Sequence, residues 1–237
     1  YPIILSVFIV FIIYMFWMRS LQRMNPELLW DWKTIDTKTL LSQRGDSFPD
    51  DFLWGSSTAA HQVEGGNDNN NWYWWEHQTD AKGKPRIHGG HKSGLACDHY
   101  NRYPEDLRNM RDDFGMNCYR FSIEWSRCEP KQGQWDEKEF DHYRQKIDSL
   151  LELGMQPMIT LHHFTHPMWF EELGSFEKEE NIKHFLRFAK EVFSRYSDRV
   201  KWWCTINEIE SFASMGWSVG AFPPGKKNYT MMARVIL

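Results

Sequence analysis

Cysteine is scarce in this chain. Four residues among 237 (Cys97, Cys118, Cys128 and Cys204) are too few for a disulfide scaffold and lack metal-site spacing. A surplus of positive charge is missing as well. Thirty-two acidic residues outweigh 28 basic ones, the net charge is −4 and no Lys/Arg stripe appears. A basic nucleic-acid domain is thereby excluded, and no nucleic-acid partner is expected. No G-x-G-x-x-G turn or P-loop occurs, which removes the usual phosphate cradles. Hydrophobic residues make up 41% of the chain and aromatics 16%, enough to bury a core and exclude disorder. Tryptophan is the surplus, with 13 copies. Rings of that size either fill a core or stack on flat ligands such as sugar rings.

Charge is absent altogether from Tyr1 to Met18. At ~1.5 Å per residue that run spans about 27 Å, enough for a slightly thin bilayer. A cleaved signal peptide is the rival, but Arg19-Ser20-Leu21-Gln22-Arg23 follows with no A-x-A-like site. The expectation is a transmembrane anchor over 1–18 contacting the lipid bilayer, a polar connector over 19–47 and a folded domain over 48–237. Arg19 and Arg23 behind the run favour a cytoplasmic domain, whereas Asn228-Tyr229-Thr230 would be a glycosylation sequon in a lumenal one. The chain starts with Tyr1 and stops inside an apolar stretch at Leu237, so it reads as part of a longer protein.

From Phe48 onward strands alternate with helices. Strands are expected at Phe52–Gly55, Cys118–Ile123, Pro157–Leu161 and Val200–Ile206. Helices are expected from Pro104 to Gly115, over 137–153 and over 178–196, with Gly65–His91 as a loop. Such alternation implies parallel strands covered by helices, either doubly wound or as a (β/α)8 barrel. The polar residues favour the barrel. Gln62, His162/His163 and Asn207/Glu208 follow three different strands, and a barrel gathers those strand ends on one face. Four strands would make the first half of such a barrel.

Glu208 follows an apolar strand carrying Trp202 and Trp203, where desolvation would raise a carboxyl pKa toward the range of a general acid. Asn207 can donate to and accept from a sugar hydroxyl. The pair could equally be a helix cap and a dipole-favoured acid. Strand alternation points His162 and His163 to opposite faces, so no metal site is expected from them. Arg120, inside an apolar strand, calls for an acidic partner: one at the site, or Glu124 or Glu208 in a structural ion pair.

A family resemblance runs through ordered landmarks. These are Phe48-Pro49-x-x-Phe52-Leu53-Trp54-Gly55 through Gln62-Val63-Glu64-Gly65, Asp98-His99-Tyr100, and Tyr119-Arg120-Phe121-Ser122-Ile123-Glu124-Trp125-Ser126-Arg127. Thr160-Leu161-His162-His163-Phe164, Thr205-Ile206-Asn207-Glu208 and Gly216-Trp217-x-x-Gly220-x-x-Pro223-Pro224-Gly225 complete the set. With them the chain from about Phe48 to Gly225 resembles glycoside hydrolase family 1, the β-glucosidase and 6-phospho-β-glycosidase family. The resemblance implies a retaining β-glycosidase acting on a small-molecule β-glycoside, without a cofactor. A non-catalytic sugar- or protein-binding relative is the alternative. By the same resemblance Glu208 matches the acid/base, and Asn207 the residue at the sugar 2-hydroxyl. Gln62 and His163 match the pair on the sugar's other hydroxyls, and Arg120 the arginine that holds the nucleophile carboxylate. That nucleophile belongs to a Thr-Glu-Asn-Gly-like strand end, and no such motif occurs in these 237 residues. Three departures stand out. Asn207-Glu208 is followed by Ile209 instead of Pro, a common Trp is Phe164, which keeps an apolar platform, and the loop Asn69–Trp75 is dense in aromatics.

Overall fold

The computed structural model describes residues 12–17, 19 and 48–237. The chain divides into two compact units between Phe52 and Leu53. In the first, residues 12–17 are helical with exposed side chains, and the Phe48 and Phe52 rings meet at 4.6 Å. The rest of the uncharged run 1–18, and the connector 19–47 apart from Arg19, lie outside the described residues. Among the described residues no helix is long and apolar enough to cross a membrane.

The second unit is built on four parallel strands: β1 (Gly55–Ser57), β2 (Cys118–Ser122), β3 (Gln156–His162) and β4 (Trp202–Ile206). Their spatial order is their sequence order. A doubly wound sheet reverses its order at a switch point, whereas a barrel wall does not, so the order selects between the two architectures. Gly55 lies opposite Cys118, and Cys118 lies opposite Gln156. A Cβ on Gly55 would run into the Cys118 carbonyl, so the first pairing needs glycine.

The helix Glu137–Glu152 starts where Asp136 accepts the Lys138 and Glu139 N–H groups, and it buries Phe140, Tyr143, Ile147 and Leu150 at helical spacing. The helix Ile182–Tyr196 buries Phe185, Phe188, Val192 and Tyr196. Between them and the sheet the Trp125 ring stacks on Phe188, with centroids 5.0 Å apart. Each large apolar side chain buried here contributes roughly 1.5–3 kcal/mol, which is what holds the helical layer on the strands.

Four of the differences from the expected boundaries have causes in the hydrogen bonding. The first strand begins at Gly55 because Trp54 is tied off by Asn117, whose side chain takes its N–H and whose own N–H reaches its carbonyl. The helix expected to open at Pro104 runs over His99–Asp112, since the Asp98 carbonyl already accepts the Asn101 and Arg102 N–H groups. Pro104 then forfeits a single bond just past the first turn. The helix expected over 178–196 starts at Ile182, after a 3₁₀ turn at Glu179–Asn181. Part of the aromatic-rich loop is a helix, Asn71–Glu76, because the Asn70 side chain accepts the Tyr73 N–H at 2.8 Å.

Candidate active site

Three strand ends and the segments after them meet at one end of the sheet. Arg120 extends from β2, and among the described residues its charge does not meet a carboxylate. Nε donates to Thr160 Oγ1 at 2.7 Å, and Nη2 donates to Asn207 Oδ1 at 2.6 Å and to Cys204 Sγ at 3.5 Å. Neither acid considered for a structural pair is its partner. Glu124 is buried elsewhere, accepting Ser126 Oγ at 2.7 Å and Thr165 Oγ1 at 2.9 Å, and burial pushes its pKa up. Among the described residues Arg120 makes no ion pair.

Asn207 converts that charge into a fixed orientation. Arginine only donates, so Oδ1 of Asn207 must face it. The amide nitrogen then faces His163 Nε2 at 3.2 Å. Burial, with the Arg120 charge nearby, lowers the His163 pKa to about 4 against an opposing pull from Glu208. The imidazole is therefore neutral at pH 7, accepts at Nε2 and carries its proton on Nδ1. Asn207 is thus not the cap of the following helix. That place belongs to Glu208, whose side chain makes no capping bond.

Glu208 stands in the left-handed region (φ 45°, ψ 57°), where a non-glycine residue costs roughly 1–2 kcal/mol. Its side chain is exposed. The desolvating neighbours expected from the sequence do not cover it. Trp202 is itself exposed, and Trp203 packs on Phe193 at 5.1 Å, on the helix side of β4. Phe164 is left-handed as well, with φ 69°. Two such residues at neighbouring strand ends mark the place where the backbone is held against its preference.

A cleft of about 340 Å³ opens beside this chain of bonds. Gln62, His163 and Phe164 line it, as expected, and so do Trp72 and Phe222. Phe222 touches Trp72 at 4.9 Å and Phe164 at 5.7 Å. The opposite histidine, His162, is buried among Phe176, Phe185 and Phe212, so the two histidines do point apart. One wall was not foreseen. Glu76 accepts the Ser93 N–H and O–H, both at 2.9 Å, and so fixes His91 and Lys92 at the cleft. The only trace of it in the sequence was the density of aromatics around Trp72.

With this geometry in place, comparison with known proteins gives a family. The model of Glycosyl hydrolase family 1 matches residues 44–236. Beta-glucosidase 11 of Arabidopsis thaliana is 38% identical over 187 residues, covering 76% of this chain and 34% of that protein. Cytosolic beta-glucosidase of Homo sapiens is 38% identical over 186 residues, covering 76% and 39%. Among solved structures, a beta-glycosidase from Pyrococcus horikoshii superposes with a TM-score of 0.72 at 38% identity, covering 79% of this chain and 42% of that one. The chain spans roughly two fifths of the length of such relatives.

Proposed function

The chain belongs to glycosyl hydrolase family 1, and from that premise we propose that the complete protein is a retaining β-glycosidase. Residues 48–237 supply the first half of its (β/α)8 barrel and its general acid/base, Glu208. The observation that carries this reading is the bond chain Arg120–Asn207–His163 beside Glu208, on a cleft lined by Gln62 and Phe164. In the first step Glu208, as the acid, gives its proton to the glycosidic oxygen while a second carboxylate attacks the anomeric carbon. In the second, Glu208 takes a proton from water, which displaces that carboxylate. Retention requires the two carboxyl groups about 5–5.5 Å apart. Arg120, which makes no ion pair among the described residues, is placed to hold the second carboxylate, contributed by chain beyond residue 237. Asn207 meets the sugar 2-hydroxyl, Gln62 and His163 meet the other hydroxyls, and Phe164 supplies an apolar platform.

The test is stereochemical. Hydrolysis of 4-nitrophenyl β-glucoside by the complete protein, followed by proton NMR from the first turnovers, should release the β-anomer first. Early α-anomer would overturn the mechanism, and absence of turnover would overturn the activity.

On sequence grounds alone, residues 1–18 serve as a single-pass anchor with the domain on the cytoplasmic side. Protease treatment of sealed secretory-type vesicles tests the sidedness: a protected domain would reverse it.

A further inference from the structure

The chain is acidic as a whole, yet the segment at one wall of the cleft reverses that sign. Residues 79–94 hold Lys82, Lys84, Arg86 and Lys92 with His88 and His91, against the single acid Asp80. The segment is built firmly. Asp80 is engaged in a turn, accepting the backbone N–H groups of Lys82 and Lys84 at 2.8 and 2.9 Å. Arg86 lies over the Trp75 ring at 4.5 Å, and its N–H bonds the Gln78 carbonyl at 3.0 Å. At the far end Glu76 holds Ser93 through two bonds. These anchors leave Lys92 and His91 exposed at the cleft.

One carboxylate shares the cleft with that wall. Glu76 lines the cleft, but its oxygens are taken by Ser93, and His61 and His77 stand 3.8 and 4.0 Å from it. Glu208 stands at the strand ends with His163. Lys92 has no ion pair among the described residues. A run of ring contacts joins His163 and Phe164, assigned to the sugar, to two rings of the same cleft that are not, Phe222 and Trp72. An aromatic or otherwise flat leaving group fits against those rings. A negative charge on it would meet Lys92 and His91.

We propose that Lys92, with His91, is a specificity-determining residue that selects β-glycosides whose aglycone carries an anionic group, such as a carboxylate. The proposal rests on the glycosidase reading above and adds the substrate class. Lysine contributes a strongly hydrated point charge at the cleft rim, so its effect is selective attraction and is screened by salt.

The experiment uses the complete protein and a matched pair of substrates, 4-carboxyphenyl β-glucoside and its neutral methyl ester. The readout is the ratio of kcat/KM for acid over ester. Lys92→Gln should lower that ratio about fivefold, the size of an exposed charge contact, and chiefly through KM. Lys92→Arg should keep it, Lys92→Glu should push it below the Gln value, and raising salt should shrink it in the unaltered protein. A ratio that none of these changes would overturn the proposal. A third substrate, the 6-phospho-glucoside of the same methyl ester, puts the anion on the sugar. A Lys92-dependent preference for it alone would overturn the aglycone assignment. If neither glucoside is hydrolysed, the glycosidase reading fails separately, and calorimetric binding of the acid and ester to the same variants still decides the role of Lys92.

Discussion

Replacing Asn207 with aspartate tests whether the site's protons stand where its bonds place them. In the native chain Arg120 fixes the amide oxygen, the amide nitrogen faces His163 Nε2 at 3.2 Å, and the imidazole stays neutral with a pKa of about 4. Asn207→Asp turns that donor into an acceptor with negative charge. His163 must then donate from Nε2, so its tautomer changes and its charged form gains a partner. At 3.2 Å and an effective dielectric of about 20, Coulomb's law gives a ceiling near 5 kcal/mol. Arg120 shares the new carboxylate and takes up part of that, leaving a shift of about 1–3 pH units upward. His163 in the variant should titrate between about 5 and 7. Nitrogen-detected NMR on the ¹⁵N-histidine-labelled complete protein reads both tautomer and pKa. A native His163 protonated on Nε2, or titrating near 6.5, would show that Asn207 does not donate to it.

Gly55→Ala should destabilise the protein by about 2 kcal/mol or more, read from the urea midpoint, because the added Cβ meets the Cys118 carbonyl where β1 pairs with β2. An unchanged midpoint would mean the strands do not approach as described. Acidification should weaken the fold. Burial lowers His99, His142 and His163 from 6.5 to about 4, so between those values the unfolded chain binds protons that the folded one does not. Their stabilisation is complete above pH 6.5 and is lost as pH falls toward 4, seen as a falling Tm, and His99→Gln should flatten that slope. Finally, residues 1–237 produced alone should aggregate and show no turnover of nitrophenyl β-glucoside, since the proposed mechanism draws its second carboxylate from outside them. Turnover by that polypeptide would show otherwise.

The parallel sheet and both long helices were legible because their patterns are local. The 3.6-residue spacing from Phe140 to Leu150 and the apolar runs at Phe121 and Ile159 need no distant partner to be recognised. The boundaries that moved did so through distant or non-periodic contacts. Asn117 ties off Trp54, which lies 63 residues away in sequence, and Asp98 opens its helix from a left-handed conformation that no periodicity announces. The gathering of the candidate residues was legible from their positions after successive strands. Gln62, His163 and Phe164 do share one cleft, and Arg120, Asn207 and His163 do form one bond chain. What the sequence could not supply was exposure. Trp202 and Trp203 precede Glu208 in the chain yet do not cover it: Trp203 turns to Phe193 on the helix side of β4, and Trp202, six residues back along the strand, is itself exposed. The Glu76–Ser93 wall was hidden for the same reason as Asn117, a tertiary bond between residues with no shared pattern.

If Glu208 is the acid/base, Glu208→Gln in the complete protein should leave a distinctive kinetic signature. Glutamine keeps size and polarity but gives up no carboxylic proton, and general acid assistance contributes ~10²–10⁴-fold, mostly for poor leaving groups. Hydrolysis of cellobiose should collapse, while the first step on dinitrophenyl β-glucoside, whose leaving group needs no proton, should largely survive. Without its base the second step should stall, so the covalent intermediate accumulates as a burst and added azide speeds its breakdown. Equal losses on both substrates, with no burst and no azide effect, would contradict that role and make Glu208 a structural carboxylate.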